Sequence, residues 1–273
     1  MLTELTPAQM DRYCSRIGVP RDGAPDLERL AAFQRGHVRA FTWEVLDAFM
    51  GWPNAIDPAA AFDKMIGGTR GGWCYEMNGL LGAALSAAGF QVTRLCGGVR
   101  RAELGDAVVG NHLTLRVDLE QPWLVDGGLG DAPARPIPLA IGDHSHEFHD
   151  FGIEAADADW LRFRNQRFGA APSFDFKADY ADEPQLAAQQ AWLMTEAGSP
   201  FRGNLVVMRH FDGRIESIVN RTRRTLTAGG MTTKAMTSAD DLAAAFSGVF
   251  GLDVPDVATV WAKVETLPKG EFD

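Results

Sequence analysis

Cysteine is scarce in this sequence, which excludes a fold held together by a framework of disulfides. The 273 residues include three cysteines, at positions 14, 74 and 96. An odd and sparse count is typical of proteins that fold in a reducing compartment. The first residues carry no basic segment followed by an apolar run, so we expect no signal peptide. These features together predict a cytoplasmic protein.

Long apolar runs and a surplus of basic residues are also missing. No stretch approaches the ~20 apolar residues that a membrane-spanning helix needs. The sequence has 26 Lys and Arg against 36 Asp and Glu, which gives a net charge of −10. Such an acidic chain is a poor candidate for binding nucleic acid or an anionic membrane. Its 46% apolar content still allows a sizeable core, in one large domain or in two or three smaller ones.

The pattern of apolar residues changes twice along the chain. In the first third, Thr6-Pro7 and Asp26 are helix-start signals, and apolar residues at helical spacing continue to about Met50. In the middle third, strict apolar–polar alternation over 112–119 predicts a half-buried strand. The last third mixes helices and strands, with a hairpin turn at Asp212-Gly213. This order predicts helices, then an antiparallel barrel or sandwich, then a mixed segment.

One cysteine stands where a thiol would be reactive. Cys74 follows Gly71-Gly72 and precedes an apolar run at 79–85 that is typical of a buried helix. At a helix start, the unpaired backbone N–H groups and the positive end of the helix dipole favour the thiolate, which is the nucleophile. Cys14 in the first helix and Cys96 in an apolar strand lack a paired histidine motif, so we expect them to be structural. Cys74 is therefore the candidate nucleophile.

A base and an orienting group for this thiol follow at sensible places. His112 opens the alternating strand and is predicted to lie on its polar face, away from the core. Asp126 ends the next short strand. If the two strands are neighbours, the imidazole and the carboxylate can lie side by side. Cysteine catalysis requires such a base and a group that orients it, so the three residues form a candidate triad.

Three segments of the sequence resemble the arylamine N-acetyltransferases. Residues 70–78, Arg-Gly-Gly-Trp-Cys-Tyr-Glu-Met-Asn, resemble the R-G-G-x-C-x-E-x-N signature of that family. Residues 126–130, Asp-Gly-Gly-Leu-Gly, resemble its D-V-G-F-G turn, and residues 43–46, Trp-Glu-Val-Leu, resemble its F-E-N-L segment. These motifs lie between about residues 43 and 130, while the length and the order of elements match over nearly the whole chain.

The resemblance implies an α+β fold in three parts, with a catalytic core like that of the cysteine proteases. Residues 1–89 would form a helical bundle that carries the catalytic cysteine. Residues 90–190 would form an antiparallel β-barrel that carries the histidine and the aspartate, and residues 191–273 an α/β lid. The resemblance leaves monomer and homodimer both open.

The resemblance also implies a ping-pong reaction. Cys74 would take an acetyl or other short acyl group from acyl-coenzyme A and pass it to an arylamine, a hydrazine or an N-hydroxyarylamine. His112 would hold the thiol proton as an imidazolium and later deprotonate the amine, and Asp126 would fix the imidazole tautomer. The backbone N–H of Cys74 would serve as an oxyanion donor. This chemistry requires no metal.

Further residues are assigned to the site by the same resemblance. Substrate contacts fall on Trp73, Gly128 and Leu129. Leu129 stands where the family has an aromatic residue that lines the acceptor pocket, so the acceptor is left open. The predicted supporting residues around the triad are Glu44, Arg70, Glu76 and Asn78. Among these, Arg70 is expected to pair with Glu44 and to hold the segment that leads into Cys74. We call this segment, residues 70–73, the cysteine loop.

Other functions agree with parts of the sequence. An amide synthase of the same fold would act on a polyketide chain bound to a carrier protein, and a cysteine hydrolase would share the triad. A binding module would use no chemistry at all. The tract His144–His149 could ligate zinc or copper, although a solvated loop is preferred. The run Arg221–Arg224 could contact the phosphates of coenzyme A, although a solvated strand edge is preferred.

Overall fold

The structure is a computed structural model, and it describes residues 4–268. The α-helices, in chain order, are α1 (Pro7–Ile17), α2 (Leu27–Ala40), α3 (Leu46–Met50), α4 (Pro58–Phe62), α5 (Cys74–Ala87), α6 (Arg101–Leu104), α7 (Glu183–Thr195), α8 (Pro200–Gly203), α9 (Ala239–Ala245) and α10 (Val257–Thr266). Two π-helical turns, Asp63–Gly67 and Phe246–Phe250, continue α4 and α9, and Asp106–Val108 form a 3-10 turn.

The strands form two antiparallel sheets. In chain order they are β1 (Trp43–Glu44), β2 (Gln91–Val99), β3 (His112–Asp118), β4 (Pro122–Val125), β5 (Ile137–Pro138), β6 (Gly142–His146), β7 (His149–Ala155), β8 (Leu161–Arg164), β9 (Ser173–Phe176), β10 (Val206–Phe211), β11 (Arg214–Val219), β12 (Thr222–Thr227) and β13 (Gly230–Ala235). The eight-stranded sheet, in the order β5-β4-β3-β2-β9-β8-β7-β6, is a nearly closed barrel. The five-stranded sheet has the order β1-β10-β11-β12-β13. The predicted α+β fold with a central antiparallel barrel is confirmed.

The core is centred on α5, in which every residue from Cys74 to Leu85 is buried. Such a helix must be covered all round, and α1, α2 and β3 contact it. The barrel interior holds a separate cluster of aromatic rings, in which Phe163 and Phe174 stack with centroids 5.0 Å apart. The ring of His112 lies 4.7 Å from that of Phe174. The imidazole therefore sits where the helical core and the barrel core meet.

The prediction of a continuous helix to about Met50 is wrong. Helix α2 ends at Ala40, and Trp43 and Glu44 form β1 before α3 begins. The backbone N–H of Glu44 donates to Gly72 O over 3.0 Å, and the N–H of Gly72 donates to Thr42 O over 3.2 Å. These bonds, together with pairing to β10, hold the segment in a strand although its apolar residues recur at helical spacing. As a result, Glu44 lies beside the cysteine loop.

The prediction of a half-buried strand with His112 away from the core is also wrong. Residues 112–115 are all buried, so both faces of β3 are covered at this end. The face with Leu113, Leu115 and Val117 packs in the same apolar cluster as α5, and the opposite face lies over the barrel cluster, where the ring of His112 contacts Phe174. Alternation indicated which side chains share a face, but it could not show that a second layer covers the polar one.

The hairpin predicted at Asp212-Gly213 is confirmed, whereas two expectations for polar runs are wrong. Arg221–Arg224 do not lie at a sheet edge, because β12 is paired on both sides. The guanidinium of Arg221 donates to backbone carbonyls at the end of α10, and that of Arg223 donates to Glu216 over 3.1 Å. The tract His144–His149 is the hairpin of β6 and β7 and not a loop.

The boundary expected at residue 190 falls within α7, and β1 from the N-terminal segment pairs with the C-terminal sheet. The division into three parts at residues 89 and 190 therefore stays a prediction. Over residues 4–268, we find no helix that is both long enough and apolar enough to cross a membrane. The cytoplasmic location also stays a prediction.

Gly71, which lies in the cysteine loop, generates a stability prediction. A Cβ at Gly71 would lie 1.8 Å from the backbone oxygen of Thr42, whereas a Cβ at Gly67 would meet no atom within 4 Å. We expect Gly71→Ala to lower the free energy of unfolding by about 1–3 kcal/mol or more, because the backbone must move apart. Urea denaturation measures the change.

Gly67→Ala is the matched control, because it adds the same methyl group four residues earlier, at the end of the π-helical turn, where no atom lies within 4 Å. It should leave the free energy of unfolding within about 0.5 kcal/mol of the wild type. If both variants unfold at the same urea concentration, close packing at Gly71 does not hold the loop.

Candidate active site

Cys74 is the first residue of α5, as predicted, and its side chain is buried. The turn before it is closed by Glu76, whose Oε2 accepts the backbone N–H of Trp73 over 3.3 Å. The Sγ of Cys74 lies 3.9 Å from the carbonyl oxygen of Asn111, next to His112. The sulfur is thus held between a helix start and the beginning of β3.

His112 and Asp126 lie side by side, as predicted. Their strands are neighbours, with Leu115 opposite Val125, so the residues at the same end come together. The Nε2 of His112 lies 2.6 Å from the Oδ2 of Asp126, and the Cys74 thiol is close enough to the imidazole to raise its pKa. The two side chains are only 2% and 5% exposed. Sulfur, imidazole and carboxylate therefore lie together in one buried group.

The carboxylate of Asp126 is held by the turn that follows it. Its Oδ1 accepts the backbone N–H of Gly128 over 2.7 Å and that of Leu129 over 3.1 Å. The same oxygen accepts the amide of Asn78 over 3.0 Å. These three donors occupy Oδ1 and leave Oδ2 for the imidazole of His112. These bonds explain why a glycine-rich turn follows Asp126: the turn directs its backbone N–H groups at the carboxylate.

Asn78 ties the helix of the cysteine to the strands of the other two residues. It lies four residues after Cys74, which places both side chains on one face of α5. Its amide donates to the backbone oxygen of Leu113 over 2.6 Å, and its Oδ1 accepts the N–H of Gly127 over 2.8 Å. One side chain therefore contacts β3, the turn after β4 and the carboxylate. This agrees with the supporting position predicted for Asn78.

The charges of the pair follow from its burial and its contacts. Burial alone would lower the pKa of His112, but the charge and hydrogen bond of Asp126, with the nearby Cys74 thiol, raise it to about 10. Burial would raise the pKa of Asp126, yet the charge of His112 and the donated hydrogen bonds hold it below its ordinary value. At neutral pH the pair is an imidazolium and a carboxylate, so a cation lies beside the thiol.

The other two cysteines differ from Cys74 in their surroundings. All three are unpaired and buried. Burial raises the pKa of the Cys14 thiol, and it raises that of Cys96 to about 11 despite a backbone contact with Asp182. Thiols of this kind are inert because the thiolate is the reactive form.

The supporting charges form a larger cluster than we predicted. The guanidinium of Arg70 donates to Glu44 Oε1 over 2.7 and 2.9 Å, which is the expected pair, although Glu44 lies on a strand and not on a helix. Arg70 also donates to Asp47 over 2.8 Å. Lys64 donates to Asp47 over 2.6 Å and to Glu76 over 2.9 and 3.0 Å.

Sequence reasoning missed Asp47 and Lys64. The available signal was a lysine between the apolar residues Phe62 and Met65, in a helical stretch that leads into the cysteine loop. A charged side chain in that position needs a buried partner. The partner could not be identified, because Asp47 reaches it only through the strand that interrupts the predicted helix.

The residues predicted to contact substrate lie at different depths. Gly128 packs directly on Cys74, since a Cβ at Gly128 would lie 2.8 Å from the Cα of Cys74. The indole of Trp73 stands edge-on to Tyr75 and Phe201, at 5.2 and 5.6 Å. The side chain of Leu129 is 6% exposed and packs in the apolar cluster of the barrel.

The histidine tract lies on the hairpin of β6 and β7. Throughout residues 4–268, no group of three or more His, Cys, Asp or Glu side chains is placed to hold a metal ion. Within the tract, Glu147 pairs with Arg39 over 3.1 Å and His149 is buried.

A buried thiol at a helix start, an imidazole on a barrel strand and a carboxylate beside it are the groups that occur together in the class of enzymes with a cysteine nucleophile. The comparisons with known proteins identify the family. Residues 26–259 match a family described as N-acetyltransferase. An arylamine N-acetyltransferase of Mycolicibacterium smegmatis is 30% identical over 90% of this chain and 92% of its own length.

Solved structures agree. The M. smegmatis arylamine N-acetyl transferase gives a TM-score of 0.84 at 30% identity, over 94% of this chain and 98% of that one. The Mycobacterium marinum arylamine N-acetyltransferase in complex with CoA gives 0.84 at 25% identity, over 95% and 100%. The chain belongs to the arylamine N-acetyltransferase family, which confirms the resemblance found in the sequence.

The ion pair generates a prediction for His112. In Asp126→Asn the carboxylate charge is lost while the imidazole stays buried, so we expect the pKa of His112 to fall from about 10 to below its ordinary 6.5. NMR titration of the imidazole between pH 5 and 10.5 measures it. Asp118→Asn is the control. Asp118 lies on β3, as His112 does, but it pairs with Arg116 near the surface, so its loss should leave the titration of His112 unchanged.

The same change has a signed effect on stability. Because folding raises the pKa of His112, its contribution is fully present below about pH 6.5 and is lost as pH rises through about 10. The difference in free energy of unfolding between the wild type and Asp126→Asn should therefore be larger at pH 6.5 than at pH 10. A difference that grows with pH would contradict the assignment.

Proposed function

We propose that this protein is an arylamine N-acetyltransferase that works through a thioester on Cys74. The acetyl group, or another short acyl group, comes from acyl-coenzyme A and passes to an arylamine, a hydrazine or an N-hydroxyarylamine. The observation that carries the proposal is the buried group of Cys74, His112 and Asp126 in a protein of the arylamine N-acetyltransferase family. The name of the M. smegmatis relative and the CoA complex of the M. marinum structure support the same substrates.

In the first half-reaction, the thiolate of Cys74 attacks the carbonyl carbon of the acyl thioester. The bond from that carbon to the sulfur of coenzyme A breaks, and the imidazolium of His112 gives its proton to the departing sulfur. Cys74 then carries the acyl group as a thioester, and His112 is neutral. Asp126 keeps the imidazole in place throughout and stabilises its charged form.

In the second half-reaction, the amine attacks the thioester carbon, and neutral His112 takes the proton that the amine loses. The bond from carbon to the Cys74 sulfur breaks, which yields the amide and restores the thiolate beside an imidazolium. The backbone N–H of Cys74 is proposed as the oxyanion donor, because the first N–H groups of a helix have no partner within it. Trp73, Gly128 and Leu129 are proposed as acceptor contacts.

Mass spectrometry tests the thioester. After mixing with acetyl-coenzyme A and no amine, we expect the mass to rise by one acetyl group, with the adduct on Cys74. Cys74→Ala should show no adduct. Cys96→Ala is the matched control, since it removes an equally buried thiol, and it should acetylate like the wild type. Failure of every short acyl donor to modify Cys74 would overturn the mechanism.

Competition between amines and water tests the class of acceptor. With the acyl-enzyme formed, we expect a panel of arylamines, hydrazides and arylhydroxylamines to discharge it much faster than water, and the amide product to be recovered. Stopped-flow release of coenzyme A at varied amine concentration measures this. Hydrolysis that outpaces every amine would instead make the protein a cysteine hydrolase. Preference for a carrier-bound acyl group would make it an amide synthase.

A further inference from the structure

A buried cluster of charges lies directly behind the cysteine loop. Three carboxylates, from Glu44, Asp47 and Glu76, meet two cations, from Lys64 and Arg70. The three carboxylate side chains are almost fully buried. Buried charges are tolerated only when they are closely paired, so the cluster must hold a fixed geometry.

Lys64 makes contacts that Arg70 does not make. Its Nζ lies 2.9 and 3.0 Å from the two carboxylate oxygens of Glu76, 2.6 Å from Asp47 and 3.8 Å from Glu44. Arg70 reaches Glu44 and Asp47. Lys64 is therefore the cation that ties Glu76 to the rest of the cluster.

Glu76 in turn sets the start of the helix that carries the nucleophile. It is the third residue of α5, and its Oε2 accepts the backbone N–H of Trp73, which immediately precedes Cys74. Gly72 packs so closely on this side chain that a Cβ there would lie 2.7 Å from the Cβ of Glu76. A shift of the Glu76 carboxylate would therefore move the turn that ends at Cys74.

The charge balance strengthens the dependence of Glu76 on Lys64. Three carboxylates against two cations leave one negative charge unless a proton is held. Burial raises the pKa of Glu76 to about 7, even though the charge of Lys64 lowers it. Without Lys64, this side chain would have no cation in contact, and its pKa would rise further.

We propose that Lys64 is a positioning residue for the nucleophile: by holding Glu76, it fixes the Trp73–Glu76 turn and so aims the Cys74 sulfur at His112. The inference rests on the proposed function only in taking Cys74 as the nucleophile. Lys64 acts from behind the loop, on the turn and not on the substrate. Its removal should therefore slow the steps at sulfur without weakening the binding of the acyl donor.

The test compares Lys64→Met with the wild type and with Lys177→Met. Lys177 pairs with Asp159 over 2.8 Å at the surface of the barrel, so its loss controls for removing one lysine charge. We expect Lys64→Met to lower the limiting rates of Cys74 alkylation by iodoacetamide and of single-turnover acetylation by about 10- to 100-fold. The KM for acetyl-coenzyme A should not change. Rates are corrected for the folded fraction, measured by thermal melting.

A double-mutant cycle separates positioning through Glu76 from general loss of structure. If Lys64 acts through Glu76, then Lys64→Met combined with Glu76→Gln should be no slower than Lys64→Met alone, because the contact between the two side chains is already lost in the single variant. Additive losses would overturn the proposal, as would a raised KM with unchanged alkylation. If Lys64→Met does not fold, Glu76→Gln alone serves, since wild-type alkylation in that variant would also overturn it.

The two proposals fail in different ways. Alkylation by iodoacetamide needs no acyl donor, so it reports on Lys64 even if the protein forms no thioester. Absence of an acetyl adduct in the wild type would sink the proposed function and leave the alkylation result intact. Normal acetylation of the wild type with equal alkylation rates in Lys64→Met would sink the role of Lys64 alone.

Discussion

The structure depends on burying an imidazolium and a carboxylate beside a thiol. Removing two charges from water costs several kcal/mol per ion, and only excellent geometry offsets that cost. The pair meets this requirement in two ways. Oδ2 of Asp126 lies 2.6 Å from His112, and Oδ1 accepts three N–H donors. Because the cost is so high, each element that supplies a donor is constrained in position. The pair therefore fixes the relation between α5, β3 and the turn after β4.

The glycines of this region follow from the same constraint. Gly128 lets the turn after Asp126 approach the backbone of Cys74, and Gly71 lets the cysteine loop approach Thr42. A side chain at either position would separate the thiol from its partners. Close backbone contact at these two glycines thus brings the sulfur, the imidazole and the carboxylate together and leaves them little freedom to move. Such preorganisation is what charge stabilisation in a dry site requires.

Much of this site could be predicted from the sequence, because its chemistry is local. The glycine pair before Cys74 indicated the helix start, and the short spacing between two strands indicated that His112 and Asp126 would be neighbours. The errors have a shared physical origin, since each concerns contacts between segments distant in the chain. The segment that carries Glu44 was predicted as a helix, but its hydrogen bonds with Gly72 hold it in a strand. The aromatic cluster of the barrel covers the polar face of β3 at His112. Neither partner is visible in the local pattern.

The two buried charge clusters differ in a way that suits the separate tasks that we propose for them. At the triad, one cation faces one carboxylate, and the pair can give up a proton and recover it during a reaction. Behind the loop, five charged groups from five segments lock one another in place, and Lys64 keeps its proton because three carboxylates raise its pKa. A group that must exchange a proton needs few partners, whereas a group that must hold a backbone needs many. The ion pair of His112 and Asp126 thus lies on the side of β3, the cluster around Lys64 lies behind the turn, and Cys74 lies between them.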